Sequence, residues 1–197
     1  MLISLSVSAG NSKVAVGGTV AVIVDEGSAL TRIGGNAAIT ADTGDVNIVS
    51  SVSNKLVSAL ASASGAPQGI TVAGVLSVLV ALFKARVELA DGAGVAADLG
   101  GIRIASSAVS WMIVIGLAAT GSGSGTVAVG ATISVNVFEH ESAVEIGRVT
   151  LRAGKDITVF ATGEDFTVLV NMALGAAGSG NAIAGAIPVV VSNTDIS

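Results

Sequence analysis

A chain of 197 residues with 26 Gly, no Cys and a net charge of −5 is long enough for one domain with a sizeable core. Its 9 basic residues form no cluster that could neutralise a run of phosphates, which excludes a nucleic-acid surface, and the lack of Cys excludes disulfides, thiolate nucleophiles and thiolate metal sites. Hydrophobic residues make up 51% of the chain but aromatics only 3%, so the apolar side chains are mostly small or β-branched and suit closely stacked backbones.

The start, MLISLSVSAG, has no basic region and too short an apolar core for a secretory signal, so the signal of an exported chain would lie elsewhere. At Asn11 begins NSKVAVGGTVAVIV, a polar turn followed by an apolar run. It returns as PQGITVAGVLSVLV from Pro67, SGSGTVAVGATISVNV from Ser122 and GSGNAIAGAIPVVV from Gly178. Superposing the copies places Gly18 on Gly74, Ala131 and Ala186, spaced 56, 57 and 55 residues apart. Two further anchors agree: GDVNI at Gly44 recurs as GGIRI at Gly100 and KDITV at Lys155, and TRI at Thr31 recurs as VEL at Val87 and VEI at Val144. The chain therefore reads as one segment, 1–197, of 56-residue repeats: a partial unit 1–54, units 55–110 and 111–165, and a partial unit 166–197. Both ends interrupt a unit, and the expectation is a slice of a longer array.

Within the unit that starts at Trp111, WMIVIGLAA leads through TGSGSG into TVAVGATISVNV, then polar FEHES, then short strands predicted at 144–146, 149–151 and 157–161 around an AGKD turn. Val127, Val129, Ala131, Ile133, Val135 and Val137 share one parity, and are expected to form an inward ladder. Ala128, Gly130, Thr132, Ser134 and Asn136 would then take the outer face, so an acidic substitution at Ile133 should cost more than one at Ser134. Strands at fixed period cannot bury an apolar face within one unit, but stacked units can. The expected fold is all-β, a parallel β-solenoid (β-helix), with either three coils of about 19 residues per period or a hairpin standing off a larger coil.

Residues 56–83, 104–138 and 166–194 carry no charge, which raises membrane insertion. Each is broken near its middle into halves of about ten residues, too short for a spanning helix and suited to membrane β-strands. The missing aromatic girdles and the lack of a clear polar-in, apolar-out alternation weigh against insertion, which remains the alternative.

The succession of VAVGATISVNV, a polar turn, AVEIG and AGKDITVFA resembles the repeats of large bacterial filamentous adhesins, the filamentous-haemagglutinin and leukotoxin-like group exported by type V secretion. The resemblance implies an extracellular or bacterial cell-surface location and a structural, adhesive stalk. Its partners would be neighbouring repeats of the same chain and, through the full-length protein, a cell-surface receptor or glycan.

Candidate sites are few. FEHES sets Glu139, His140 and Glu141 together, but the equivalent positions in other units are Glu26 and Leu82, and Gly27 and Phe83, which favours a solvated turn over a metal or acid–base site. TGSGSG and GAAGSGN lack the Gly-Lys-Ser/Thr ending of a phosphate loop. The pairs Asp25–Glu26 and Glu164–Asp165 read as charged turns, and Ser, His and Asp show no triad spacing. No catalytic, cofactor-binding or metal residue is expected, no cofactor, and no enzyme. A β-helical polysaccharide-degrading enzyme is the lesser alternative, since its carboxylates or basic residues would gather in one groove.

Overall fold

The computed structural model describes residues 2–9, 13–124 and 127–197. Among the described residues eleven strands run in chain order: β1 Leu2–Ala9, β2 Val14–Ile33, β3 Ala38–Ala41, β4 Val46–Ala66, β5 Ile70–Leu89, β6 Gly94–Ala97, β7 Ile102–Ser122, β8 Val127–Ile146, β9 Thr150–Ala153, β10 Ile157–Ala177 and β11 Asn181–Ile196. They form three parallel sheets, β1-β4-β7-β10, β2-β5-β8-β11 and β3-β6-β9. The protein is a parallel β-solenoid. Among the described residues no helix is long and apolar enough to cross a membrane.

One coil consumes one whole period. The chain climbs a strand of the first sheet, turns at a tip, descends a strand of the second and returns through a four-residue strand of the third. The three-coil option is thereby excluded in favour of a long blade standing off a triangular base. Ile33, Val46, Ile48, Val87, Leu89, Val95, Ile102 and Ile104 fill the base, where three sheets leave room for branched side chains. The segments predicted at 144–146 and 157–161 are the end of β8 and the start of β10, so two expected short strands belong to long ones. Lys55, Trp111 and Phe166, which open the sequence units, share one row in the middle of the first sheet.

Two expectations of register and facing are corrected. In the last coil Ala131 pairs with Gly185, not Ala186, so the spacing there is one residue shorter than the sequence superposition gave. More consequentially, the ladder through Ile133 faces outward: Ile133 is 40% exposed and Ser134 only 1%. The cause is the narrowness of the blade. A Cβ on Gly130 would lie 2.8 Å from the Leu174 carbonyl oxygen opposite, and one on Gly17 2.8 Å from that of Ala63. Only small groups fit between the sheets at that level, and several are hydroxyls that donate across the gap, Thr19 to the carbonyl of Ala61 at 2.8 Å and Thr132 to that of Met172 at 2.9 Å. Nearer the base the gap admits larger residues, and Leu79, Phe83, Met112 and Phe138 pack there.

At the tip, Gly69 has φ +108°, and a Cβ there would come 1.9 Å from the Lys13 carbonyl oxygen of the coil below. The Gly-rich stretches do make the tight turns expected of them, although Gly125 lies outside the described residues.

The inverted facing sets a clear mutational contrast. Ser134→Asp buries a carboxylate and should lower stability by about 3 kcal/mol, whereas Ile133→Asp should cost less than about 1 kcal/mol. Urea denaturation of the two variants measures both, and equal losses would refute the assignment of inner and outer faces.

Candidate functional site

The FEHES segment lies within β8 and is not a turn. Strand alternation therefore splits its three ionisable groups between two faces. Glu139 and Glu141 point outward, 3.3 and 3.4 Å from the Lys84 ammonium on the neighbouring strand β5, and Arg86 also pairs with Glu141. The hydrogen bond from Arg86 holds the Glu141 carboxyl below its ordinary range, and the one to Glu139 raises the Lys84 ammonium. These are bonds between coils at the outer, basal part of the second sheet, extended by Arg32 with Glu88 at 3.4 Å.

His140 points inward and is 2% exposed. Its ring stacks on Phe83, the residue one coil below in register, with centroids 5.5 Å apart. Asp165 enters from the first sheet, its Oδ2 at 3.7 Å from His140 Nδ1. Ser110 Oγ donates to Asp165 Oδ1 at 2.9 Å, and Thr167 Oγ1 does so at 3.1 Å. Ser, His and Asp thus meet, although no sequence spacing announced it. Their order is wrong for nucleophilic catalysis: the carboxylate stands between hydroxyl and imidazole, where a triad has the imidazole in the middle. One coil earlier Asn54 donates to Asp25 at the same level. The acidic pairs read as charged turns are instead mid-strand, with Asp25 and Asp165 turned in and Glu26 and Glu164 turned out. The cluster is a partly buried polar seam at the junction of base and blade. Among the described residues no three His, Cys, Asp or Glu side chains are grouped to hold a metal ion.

The feature that parity reasoning missed is the outside of the blade. Val20, Leu76, Ile133 and Ile187 form one outward row of the second sheet, with Val22, Val78, Val135 and Val189 on its basal side and Gly18, Gly74, Ala131 and Gly185 on its tip side. The opposite outer face, on the first sheet, carries Leu5, Leu117 and Met172 in one row. Trp111 and Phe166 stack at 5.3 Å on that face, beside Lys55, where the apolar rows begin.

The chain matches no family model, no curated protein and no solved structure.

Burial pushes the His140 imidazole below its ordinary value, against the opposing charge of Asp165. The folded state therefore binds fewer protons than the unfolded chain as pH falls below about 6.5, so stability should drop by up to about 1.4 kcal/mol per pH unit until the depressed folded value is reached. Both ring nitrogens lack a hydrogen-bond partner, and Phe already occupies the position one coil below, so His140→Phe should fold as well and lose this component. Melting scans at pH 7.5 and 5.0 should show the wild type falling further than the variant, by about 2–4 °C per kcal/mol. Parallel losses in the two proteins would remove the buried imidazole as the cause.

Proposed function

We propose that this segment is a structural and adhesive repeat of a large, exported surface protein, in which the stacked backbone itself is the functional element. The observation that supports this most directly is the coil-on-coil register: residues 55–57 apart pair along entire strands of 20 or 21 residues from one coil to the next through the central coils. Such a stack transmits load through inter-strand hydrogen bonds along its axis and presents its base as a display surface. Charge is spent on pairing between coils, as in the Lys84–Glu139 and Arg86–Glu145 contacts, and not on lining a groove. The resemblance to filamentous adhesins points the same way, with receptor or glycan binding belonging to the full-length protein.

The test is axial growth. Chains lengthened by one, two and four copies of the 111–165 unit should gain about 4.8 Å of length per copy in small-angle X-ray scattering, at constant cross-section. Growth by tens of ångströms per copy, as for separate beads on a string, would defeat the stalk reading. Reproducible turnover of an acidic polysaccharide by the chain would defeat the non-enzymatic one.

A further inference from the structure

We propose that the blade of this solenoid inserts into the hydrocarbon of a lipid bilayer, leaving the triangular base in water. Along β2 the alternation is reversed relative to a water-soluble sheet, and the outward rows above the boundary are apolar in β5 and β8 as well. Ala15, Gly17, Thr19 and Ala21 point inward, while Val14, Val16, Val20 and Val22 point outward with exposures of 53–69%. Small and polar inside with apolar outside is the pattern of strands whose outer face meets lipid.

The dimensions agree. On the second sheet the outward apolar rows run from the level of Val14 to that of Val24. Ten residue steps at about 3.3 Å span about 33 Å, against a hydrocarbon core of about 30 Å. On the first sheet they run from the row of Val57 to that of Gly65, about 27 Å. No charged residue occurs in 56–83, 104–138 or 166–194, the stretches that build most of the blade and its tips.

The lower boundary is sharp, and it lies at one height on both faces. Lys55, Trp111 and Phe166 form the boundary row of the first sheet, and Glu26, Leu82 and Glu139 that of the second. The two rows are level because Asn54, next to Lys55, donates to Asp25, next to Glu26. An aromatic pair beside a lysine is the composition that settles at a membrane–water interface.

A second copy of the chain accounts for less. It could cover one broad face and leave the opposite one bare, whereas a bilayer covers both at the same level. Between coils the backbone groups of the blade are paired by the parallel ladders, as a hydrocarbon surrounding requires.

Trp111 is the chain's only tryptophan and stands at the proposed interface, which supplies the assay. The full chain is mixed with vesicles of pure phosphatidylcholine, whose zwitterionic surface removes net electrostatic attraction. The protein should float with the vesicles and its emission should shift to the blue. A spin label near the headgroup should quench Trp111 at least twofold more than one at mid-chain. Moving the reporter four residues toward the tip, with Ile115→Trp in a Trp111→Phe background, should reverse that ratio, since about 13 Å separates the two levels. Val78→Asp should reduce flotation at least tenfold, while Ser51→Asp, on the outer face below the boundary, should leave it unchanged. Failure to float, or equal quenching of both reporters by both labels, would overturn the proposal. So would a blue shift that follows protein concentration without vesicles, because the covering partner would then be another copy of the chain. The unaltered chain alone decides the matter if a variant fails to fold.

Discussion

The close approach of the two long sheets governs the rest of the molecule. At Gly17 and Gly130 a Cβ would sit 2.8 Å from a carbonyl oxygen of the other sheet, so no side chain fits at those positions. Toward the tip the interior of the blade is therefore assembled mostly from Gly, Ala, Ser and Thr, with a small apolar cluster at Ala21, Leu60, Val75 and Ala118, and hydroxyls donate to carbonyls across the gap, as those of Thr19 and Thr132 do. Val and Ile remain because they suit extended backbone, but they are displaced to the outside. The larger apolar clusters lie in the base and in the wider part of the blade around Phe83 and Phe138.

In-register parallel stacking then decides what each residue meets. A residue's nearest side-chain neighbours are its own equivalents one coil away, so like charges in one row would repel, and the outer basal face shows the remedy. Lys84 stacks in register with Glu141, and Arg86 reaches Glu88, Glu141 and Glu145. The polar seam follows the same logic: Asp25 takes a hydrogen bond from Asn54 of the next coil, and Asp165 faces His140 while accepting from Ser110 across coils.

The period was legible because stacking in register forces equivalent residues to recur at nearly constant spacing, and the anchors at Thr31, Val87 and Val144 pair in the structure as they align in the sequence. The facing was not legible. Alternation fixes which residues share a side of a strand, but assigning the apolar side to the interior assumes a gap wide enough for Ile133, and that width is a property of two sheets seen together. FEHES read as a turn because four polar or charged residues follow an apolar run; in the fold the strand continues, since Glu139 and Glu141 find Lys84 outside and His140 finds Phe83 inside. The Ser110–Asp165–His140 contact was likewise invisible, because its members are brought together by different sheets and different coils.

One coil per period also has a mechanical consequence. A strand of 21 residues makes the solenoid about 70 Å wide, whereas two packed sheets with their side chains are only about 20 Å thick. A beam with that cross-section resists bending unequally, since flexural rigidity grows with the cube of the dimension in the plane of bending and linearly with the other. The ratio is about ten to one by these strand and sheet dimensions. A long array of such coils would behave as a plank: rigid edgewise, compliant flatwise, and able to follow a curved surface in one direction only.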